Sequence, residues 1–384
     1  MNYLRRKYMA LMRGVNFRGY LRKASGYPLT LTDCMDSDIV SLSVAGNAVQ
    51  DGTPSPDAPV EVVGVGDKTE PYGYRVPIEC RGYNLVNVAN FNQNFKGGTI
   101  SDIDPATGSF KLVSAYGLYG IKLKKLFPDL EAGKEYYIFC NAPTAPQYCY
   151  LHGQKILWGF GKKRTITQED IDAANGFTIY GAKDGSETQY SNVMIIEASI
   201  YEAMGLSGTP PYEPYYHDTV NIYTNKPLYG MDGVPYEERI FDGTEAWYTT
   251  GEPKDNIVRY FVSNAYYGSK VGTVSNINTH YSAWKLDTTN WYEKDTLAIY
   301  GFNNKTSWIG VCVDYSQYPT VDDFKAFLQA QYAAGTPLKV YFETSQSSQL
   351  QGQLHLHKGT NILTSTATVE PTGMTAEYYS TKEV

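Results

Sequence analysis

Short runs in which apolar and polar residues alternate recur along most of the chain, and Gly, Asn, Asp or Pro separates them. Alternation places successive side chains on opposite faces of an extended strand, so each run predicts a half-buried β-strand. Within residues 84–203 the predicted strands begin about every 8–15 residues, which is typical of an antiparallel β-sandwich. They are residues 99–103, 110–114, 120–124, 135–140, 147–152, 155–159, 176–180 and 191–201.

Helix signals are few. Thr167 followed by Asp170, and Thr320 followed by Asp323, each have the spacing of a capping box, in which both side chains satisfy free amides of the first turn. The first pair predicts a short helix within the first sandwich. The second predicts a helix over residues 321–334, which Gly and Pro then end.

These patterns predict an all-β protein built from several antiparallel β-sandwiches with a few short helices. A Pro- and Tyr-rich linker at 205–217 separates two sandwich patterns, and similar Gly/Pro-punctuated segments flank them. We therefore predict four parts: a basic arm over 1–28, a base domain over 29–83 completed by 217–250 and 346–384, a first sandwich over 84–216, and a second sandwich with one helix over 251–345.

Composition narrows the class of protein. Of 384 residues, 42% are hydrophobic, which excludes a disordered chain, and the net charge of −7 argues against nucleic acid as a partner. Five scattered Cys residues without a CxxC pair predict reduced, buried thiols rather than a disulfide scaffold or zinc ribbon. No apolar stretch is long enough to insert into a membrane, and the first residues do not resemble a secretory signal.

The arm over residues 1–28 is basic, because it contains Arg and Lys residues and the first acidic residue of the chain is Asp33. Residues 3–13 have the spacing of a short amphipathic helix. We predict that this arm docks on another protein, with a disordered tail and a membrane-surface helix as alternatives. The docking residues would be Arg5, Arg6, Lys7 and Arg13.

Catalytic signatures are missing from the sequence: we find no nucleophile elbow, zinc-protease helix, Walker loop or dinucleotide fingerprint. His355 and His357 share one face of a predicted strand, but a third metal ligand cannot be placed, so an exposed strand face explains them. We predict no enzymatic activity, no catalytic residues, no cofactor and no metal.

Aromatic residues are the more informative feature, since 35 residues are Tyr and 5 are Trp. Flat rings stack on the apolar CH faces of sugars, so sandwiches that expose them are candidate glycan binders. The alternative is that these rings lie in cores or subunit interfaces. The candidate glycan contacts are Trp158, Tyr148 and Tyr150 in the first sandwich and Trp284, Trp291 and Tyr267 in the second.

Several stretches resemble a known family. NAVQDGTPSPDAPVEVVGVGD (47–67), SNVMIIEASIYEAMGLSGTPPYEPYY (191–216), FDGTEAWYTTG (241–251), DDFKAFLQAQYAAGTPLKVYFE (322–343) and HKGTNILTSTATVEPTGMTAEYY (357–379) are similar to segments of phage and prophage tail or baseplate minor structural proteins of Gram-positive gut bacteria. The resemblance implies a virion protein at the tail tip with jelly-roll-like sandwiches, assembly as a homotrimer, and docking of the arm on other tail or baseplate proteins. It leaves open a calcium site in the first jelly roll, for which no ligands can be read.

Three functions stay open. The first is host attachment through cell-surface glycan. The second is a purely architectural or decoration role without receptor binding. The third is a glycan-cleaving depolymerase, which would need two carboxylates facing each other in a cleft.

Overall fold

The computed structural model describes residues 20–36, 38–46, 49–69, 73–91, 95–114, 118–120, 122–224, 227, 229–231, 234–249, 251–263, 271–280, 299–301, 308–344 and 350–380. Most of these residues lie in antiparallel strands, and the helices among them are short. The predicted all-β class with several antiparallel sheets is therefore confirmed. None of the helices in these ranges has the length and apolar content needed to cross a bilayer.

The strands follow one another in three groups along the chain. The first group is β1 (Tyr20–Gly26), β2 (Leu29–Cys34), β3 (Ile39–Gly46), β4 (Val49–Gln50), β5 (Val62–Val63), β6 (Asp67–Thr69) and β7 (Gly73–Arg81). The second is β8 (Phe95–Lys96), β9 (Thr99–Asp104), β10 (Ser109–Val113), β11 (Leu118–Gly120), β12 (Glu135–Asn141), β13 (Tyr148–Leu151), β14 (Ile156–Gly159), β15 (Lys163–Thr165), β16 (Phe177–Ile179) and β17 (Glu187–Glu197).

The third group is β18 (His217–Thr224), β19 (Tyr229–Met231), β20 (Val234–Phe241), β21 (Tyr248–Thr249), β22 (Ile257–Ser263), β23 (Val271–Asn278), β24 (Ile299–Gly301), β25 (Trp308–Asp314), β26 (Leu338–Thr344), β27 (Leu350–His355), β28 (Gly359–Ser365) and β29 (Pro371–Ser380). Among the described residues, the helices are α1 (Leu123–Leu126), α2 (Gln168–Asp172), α3 (Ala198–Ala203) and α4 (Val321–Ala333), and a 3-10 turn lies at Val88–Asn90.

Three distant segments form the base. One sheet has the order β1-β29-β3-β27, and the other has the order β18-β7-β28-β2 with β6 on β7. Alternate side chains of both sheets meet in one apolar core that includes Leu31, Val40, Leu42, Ile78 and Leu363. The chain therefore returns to the base after each of the two sandwiches.

The base boundaries differ from the predicted ones at two places. Strand β1 lies within the predicted arm, but it pairs along its whole length with β29, from Tyr20 opposite Ser380 to Gly26 opposite Met374. Of the predicted 217–250 contribution, β18 joins the base, whereas β20 pairs with β26 in the second sandwich. Turn signals alone did not specify these long-range partners.

The first sandwich consists of the sheets β15-β12-β17-β10-β9 and β14-β13-β16-β11-β8. The chain crosses between the sheets at β8–β9, β10–β11, β11–β12, β12–β13, β14–β15, β15–β16 and β16–β17. From β10 onward this is the double Greek-key connectivity of a jelly roll. Its core joins inward side chains of both sheets, such as Phe110, Tyr190, Leu151 and Phe177. The predicted capping box of α2 is confirmed in both directions.

Two predicted strands in this sandwich are wrong in part. Residues 120–124 were expected to be extended, but α1 begins at Leu123, and its two buried leucines, Leu123 and Leu126, are one turn apart. The strand predicted over 191–201 ends at Glu197, and α3 follows with Ala198 and Tyr201 buried. A pair of buried residues three apart is too short a signal to distinguish a single helical turn from a strand.

The second sandwich consists of the sheets β19-β20-β26-β23 and β21-β22-β25-β24. Helix α4 packs its buried Phe324 and Leu328 on a core that also contains Phe241 and Trp247. The predicted helix and its capping box are confirmed, since Thr320 and Asp323 exchange side-chain-to-amide hydrogen bonds. Strands β19, β20 and β21 also belong to this sandwich, although they precede its predicted range of 251–345.

Candidate functional site

Strand β13 carries tyrosines on the outer face of the first sandwich. Cys149 and Leu151 point into the core, so Tyr148 and Tyr150, which alternate with them, point outward and are half-buried. Tyr150 lies opposite Leu157 of β14 on one side, a residue that is 47% exposed. Two of the predicted contact residues therefore share one accessible face of a sheet.

Two neighbouring rings extend this face. Tyr180 follows β16 and makes an edge-to-face contact with Tyr148, with ring centroids 5.4 Å apart at 72°. His152 follows β13 and makes the same kind of contact with Tyr150, at 4.9 Å and 85°. Such pairs hold one another in defined orientations. We call Tyr148, Tyr150, His152 and Tyr180 the aromatic face.

A hydrogen bond fixes the histidine of the aromatic face. His152 Nε2 lies 2.6 Å from Thr178 Oγ1 on the adjacent strand. Burial lowers the pKa of His152, so the ring is neutral at physiological pH and acts as a hydrogen-bonding group rather than a cation. Thr178 is covered, with 2% of its surface exposed, although it shares the outer face with Tyr150.

A groove of about 690 Å³ begins at Tyr148. Two loops form its walls: the first joins β12 to β13, and the second joins β16 to β17. Both loops hydrogen-bond the hydroxyl of Thr188, since Ala182 N donates to Thr188 Oγ1 over 2.9 Å and Thr144 Oγ1 lies 3.5 Å from the same oxygen. The residues around it are Thr144, Ala145, Pro146, Tyr148, Ala182, Lys183, Asp184 and Ser186.

Further contacts make both loops rigid. Gln147 Nε2 donates to the carbonyl oxygens of Ala142 and Ala145 over 2.8 and 3.0 Å, which closes the first loop. In the second loop, a Cβ added at Gly181 would stand 1.9 Å from Ser114 O, so only glycine lets the backbone pass there. The groove is therefore formed before any ligand arrives, which lowers the entropic cost of binding.

The polar groups of the groove are exposed and of both signs. Lys183 provides an ammonium donor, and Asp184 accepts a hydrogen bond from Ser186 N over 3.0 Å. Hydrogen bonds from the Ser186 side chain and backbone lower the pKa of Asp184, so this carboxylate is charged at neutral pH. Next to a flat ring, these donors and acceptors match the hydroxyls that surround the CH face of a sugar.

The structure overturns the prediction for Trp158. This ring is fully buried in the first-sandwich core, and its Nε1–H donates to Lys162 O over 2.8 Å. A ring with no exposed surface cannot stack on a ligand. Trp158 faces inward because it pairs with the inward-facing Cys149.

The other predicted contacts lie outside the described residues. This holds for Trp284, Trp291 and Tyr267 of the second sandwich and for the docking residues Arg5, Arg6, Lys7 and Arg13 of the arm. In the described part of the chain, no three His, Cys, Asp or Glu side chains are grouped so that they could hold a metal ion. Asp184 is the one carboxylate among the described residues of the groove.

The sequence did contain a signal for part of what was missed. His152 continues the alternation of Tyr148 and Tyr150, so it could have been assigned to the same face. Tyr180, Lys183 and Asp184 come from a segment about thirty residues away in sequence, and only the pairing of β13 with β16 brings them near Tyr148. Comparison of the chain with protein-family models, with curated proteins and with solved structures gives no match.

Proposed function

We propose that the chain is a non-enzymatic attachment protein whose first sandwich binds cell-surface glycan on its aromatic face. The observation that carries this proposal is the edge-to-face pair of Tyr148 and Tyr180 at the mouth of a rigid, polar groove. One pyranose ring could stack on Tyr148 while its hydroxyls meet Lys183, Asp184 and Ser186. This combination of a flat apolar wall and a few polar groups is typical of small-ligand sites.

Binding fits the groove better than cleavage. Glycoside hydrolysis in most families uses two carboxyl groups on opposite sides of the scissile bond. Among the described residues around the groove, Asp184 has no second carboxylate facing it. A depolymerase is therefore the weaker proposal.

The proposed setting is the tail tip or baseplate of a phage, where other virion proteins and a homotrimeric arrangement would be the partners. The support is the resemblance of the segments quoted above. The architecture is compatible with that role, since the chain leaves the base and returns to it after each sandwich. The basic arm is proposed to dock on a tail or baseplate protein.

Binding of purified full-length protein to wall polysaccharide from Gram-positive bacteria tests the proposal, by calorimetric titration. We expect Tyr148→Ala to weaken binding by about 1–2 kcal/mol, or roughly five- to thirtyfold, because aromatic side chains at the centre of a site dominate its affinity. Asp184→Asn should weaken it by less, since exposed polar contacts contribute little.

Tyr332→Ala is the matched control. Tyr332 is 53% exposed on α4 in the second sandwich, so the same truncation far from the groove should leave affinity unchanged. Binding that survives Tyr148→Ala would contradict the site. No binding by the parent protein to any wall fraction would favour the architectural role.

Light scattering on the full chain tests the proposed assembly. A mass of three chains would support a homotrimer, and a single-chain mass at micromolar concentration would contradict it. Charge reversal of Arg5 and Arg6 should leave the mass unchanged and reduce incorporation into tail particles if the arm is a docking element.

A further inference from the structure

The segment 205–217 connects the first sandwich to the base and is packed against both. Tyr212 Oη donates to Pro105 O of the first sandwich over 2.7 Å, and Gly82 N of the base edge donates to Tyr216 O over 3.3 Å. An apolar cluster joins the same three parts, with Phe139 and Met194 from the sandwich, Ile362 from the base and Leu206 from the segment. We call this region the junction.

Glu213 of the junction places its carboxylate in the base. It accepts hydrogen bonds from Thr360 N over 3.1 Å and from Thr360 Oγ1 over 3.2 Å. It sits against Gly359, whose φ is +100° and where a Cβ would stand 2.6 Å from the carboxylate. Burial, with a smaller contribution from the like charge of Asp33, raises the pKa of Glu213 from 4.5 to about 7.

His217 lies between two carboxylates from different domains. Its Nδ1 is 3.1 Å from Asp129 Oδ1 of the first sandwich, and its Nε2 is 3.6 Å from Glu79 Oε2 of the base. His217 therefore contacts both domains at once, with one ring nitrogen toward each carboxylate. Tyr215 interacts with the same carboxylate of Asp129 and also lies near Arg81.

His357 lies on the base side of the junction. Its Nε2 bonds Asp218 Oδ2, and its ring stacks on Tyr216 with centroids 3.8 Å apart at 22°. Tyr216 also donates its hydroxyl hydrogen to Thr360 O, so His357 and Glu213 act on the same short stretch of the base.

We propose that the junction is a pH-responsive latch that holds the first sandwich on the base more tightly in mildly acid than in mildly alkaline solution. Glu213 is the group whose protonation favours the closed junction, because burial there disfavours its charged form. The Arg81–Glu197 ion pair, 3.4 Å long, also crosses the junction.

The sign follows from proton binding. Between pH 4.5 and about 7 the closed junction keeps a proton on Glu213 that an open, hydrated carboxylate would release. Closure therefore takes up a proton and is favoured as the pH falls. The stabilisation is complete below the pKa of the open form and is lost as the pH rises through that of the closed form.

Hydrogen–deuterium exchange of the full-length protein at about pH 5.5 and about pH 8, corrected for the intrinsic pH dependence of exchange, tests the latch. The reporters are the amides of Gly82 and Thr360, which close the junction directly. We expect their protection to fall about tenfold or more at the higher pH, while amides of β12 and β17 change less. Glu213→Gln should cut the fall to about threefold or less.

The controls are Glu169→Gln, on an exposed carboxylate of α2, and His355→Gln, two residues from His357, both of which should keep the full pH response. The proposal is overturned if protection is equal at both pH values, is higher at the higher pH, or changes equally throughout the sandwich core. It is also overturned if the full pH response persists in Glu213→Gln. If that variant does not fold, the response of the parent protein decides.

Discussion

Asp170 is a buried carboxylate that joins two parts of the first sandwich. Its carboxylate is fully buried and accepts hydrogen bonds from Thr167 N and Oγ1 over 3.0 Å each, from Gln154 N over 3.0 Å, and from Gln154 Nε2. It caps α2 and also anchors the turn between β13 and β14, next to the aromatic face. Asp170→Ala removes all four contacts at once.

The expected loss follows from the groups left without a partner. Two partly buried amides, Thr167 N and Gln154 N, lose their acceptor at about 1–3 kcal/mol each, and the loss of the cap is part of that cost. We predict that Asp170→Ala destabilises the first sandwich by about 3–5 kcal/mol. Asp170→Asn keeps one acceptor oxygen and should cost roughly half as much.

Scanning calorimetry of the full chain measures this effect. The chain has several cores, so each unfolding transition is assigned separately. The midpoint temperature of the transition that reports the first sandwich should fall by about 10–15 °C. Asp172→Ala on the same helix is the control: Asp172 is exposed and bonds Gln168 Nε2 over 3.1 Å, so it should shift that transition by no more than 2 °C or so. Equal shifts of the midpoint temperature for Asp170→Ala and Asp172→Ala would contradict a stabilising role for the buried contacts of Asp170.

Three further predictions follow from single contacts. Gly181→Ala should abolish glycan binding and lower the stability of the first sandwich by about 1–3 kcal/mol, because its Cβ would meet Ser114 O; unchanged binding in a titration would contradict this. Thr320→Ala should cost the second sandwich about 1 kcal/mol in urea unfolding through loss of the cap of α4, and a neutral result would be inconsistent with it. Burial raises the pKa of three thiols, Cys34, Cys80 and Cys312, to about 12. Their alkylation at neutral pH should therefore be slow in the native protein and fast after unfolding. Rapid labelling of the native protein would contradict the burial of these thiols.

The local part of the fold could be predicted from the sequence. Alternation and turn residues placed most strands of the first sandwich, and the Thr–Asp spacings placed both capped helices, because these signals act over a few residues. The partners of β1 and β20 could not be predicted, since Ser380 and Glu343 lie far away in sequence and nothing local specifies the pairing.

The site shows the same limit. Alternation predicts that Tyr148 and Tyr150 share a face, but it does not say which face is covered. That information comes from the register, which places Trp158 opposite Cys149 in the core and Leu157 opposite Tyr150 outside. Tyr180 joins the site only through the pairing of β16 with β13.

Tyrosine nitration mapped by mass spectrometry, with and without saturating wall polysaccharide, tests most directly whether the aromatic face is the glycan site. The account predicts that polysaccharide lowers nitration at Tyr148, Tyr150 and Tyr180 and leaves the exposed Tyr332 unchanged. Saturable binding that leaves nitration of Tyr148 and Tyr180 unchanged would contradict the account and place the glycan elsewhere on the protein.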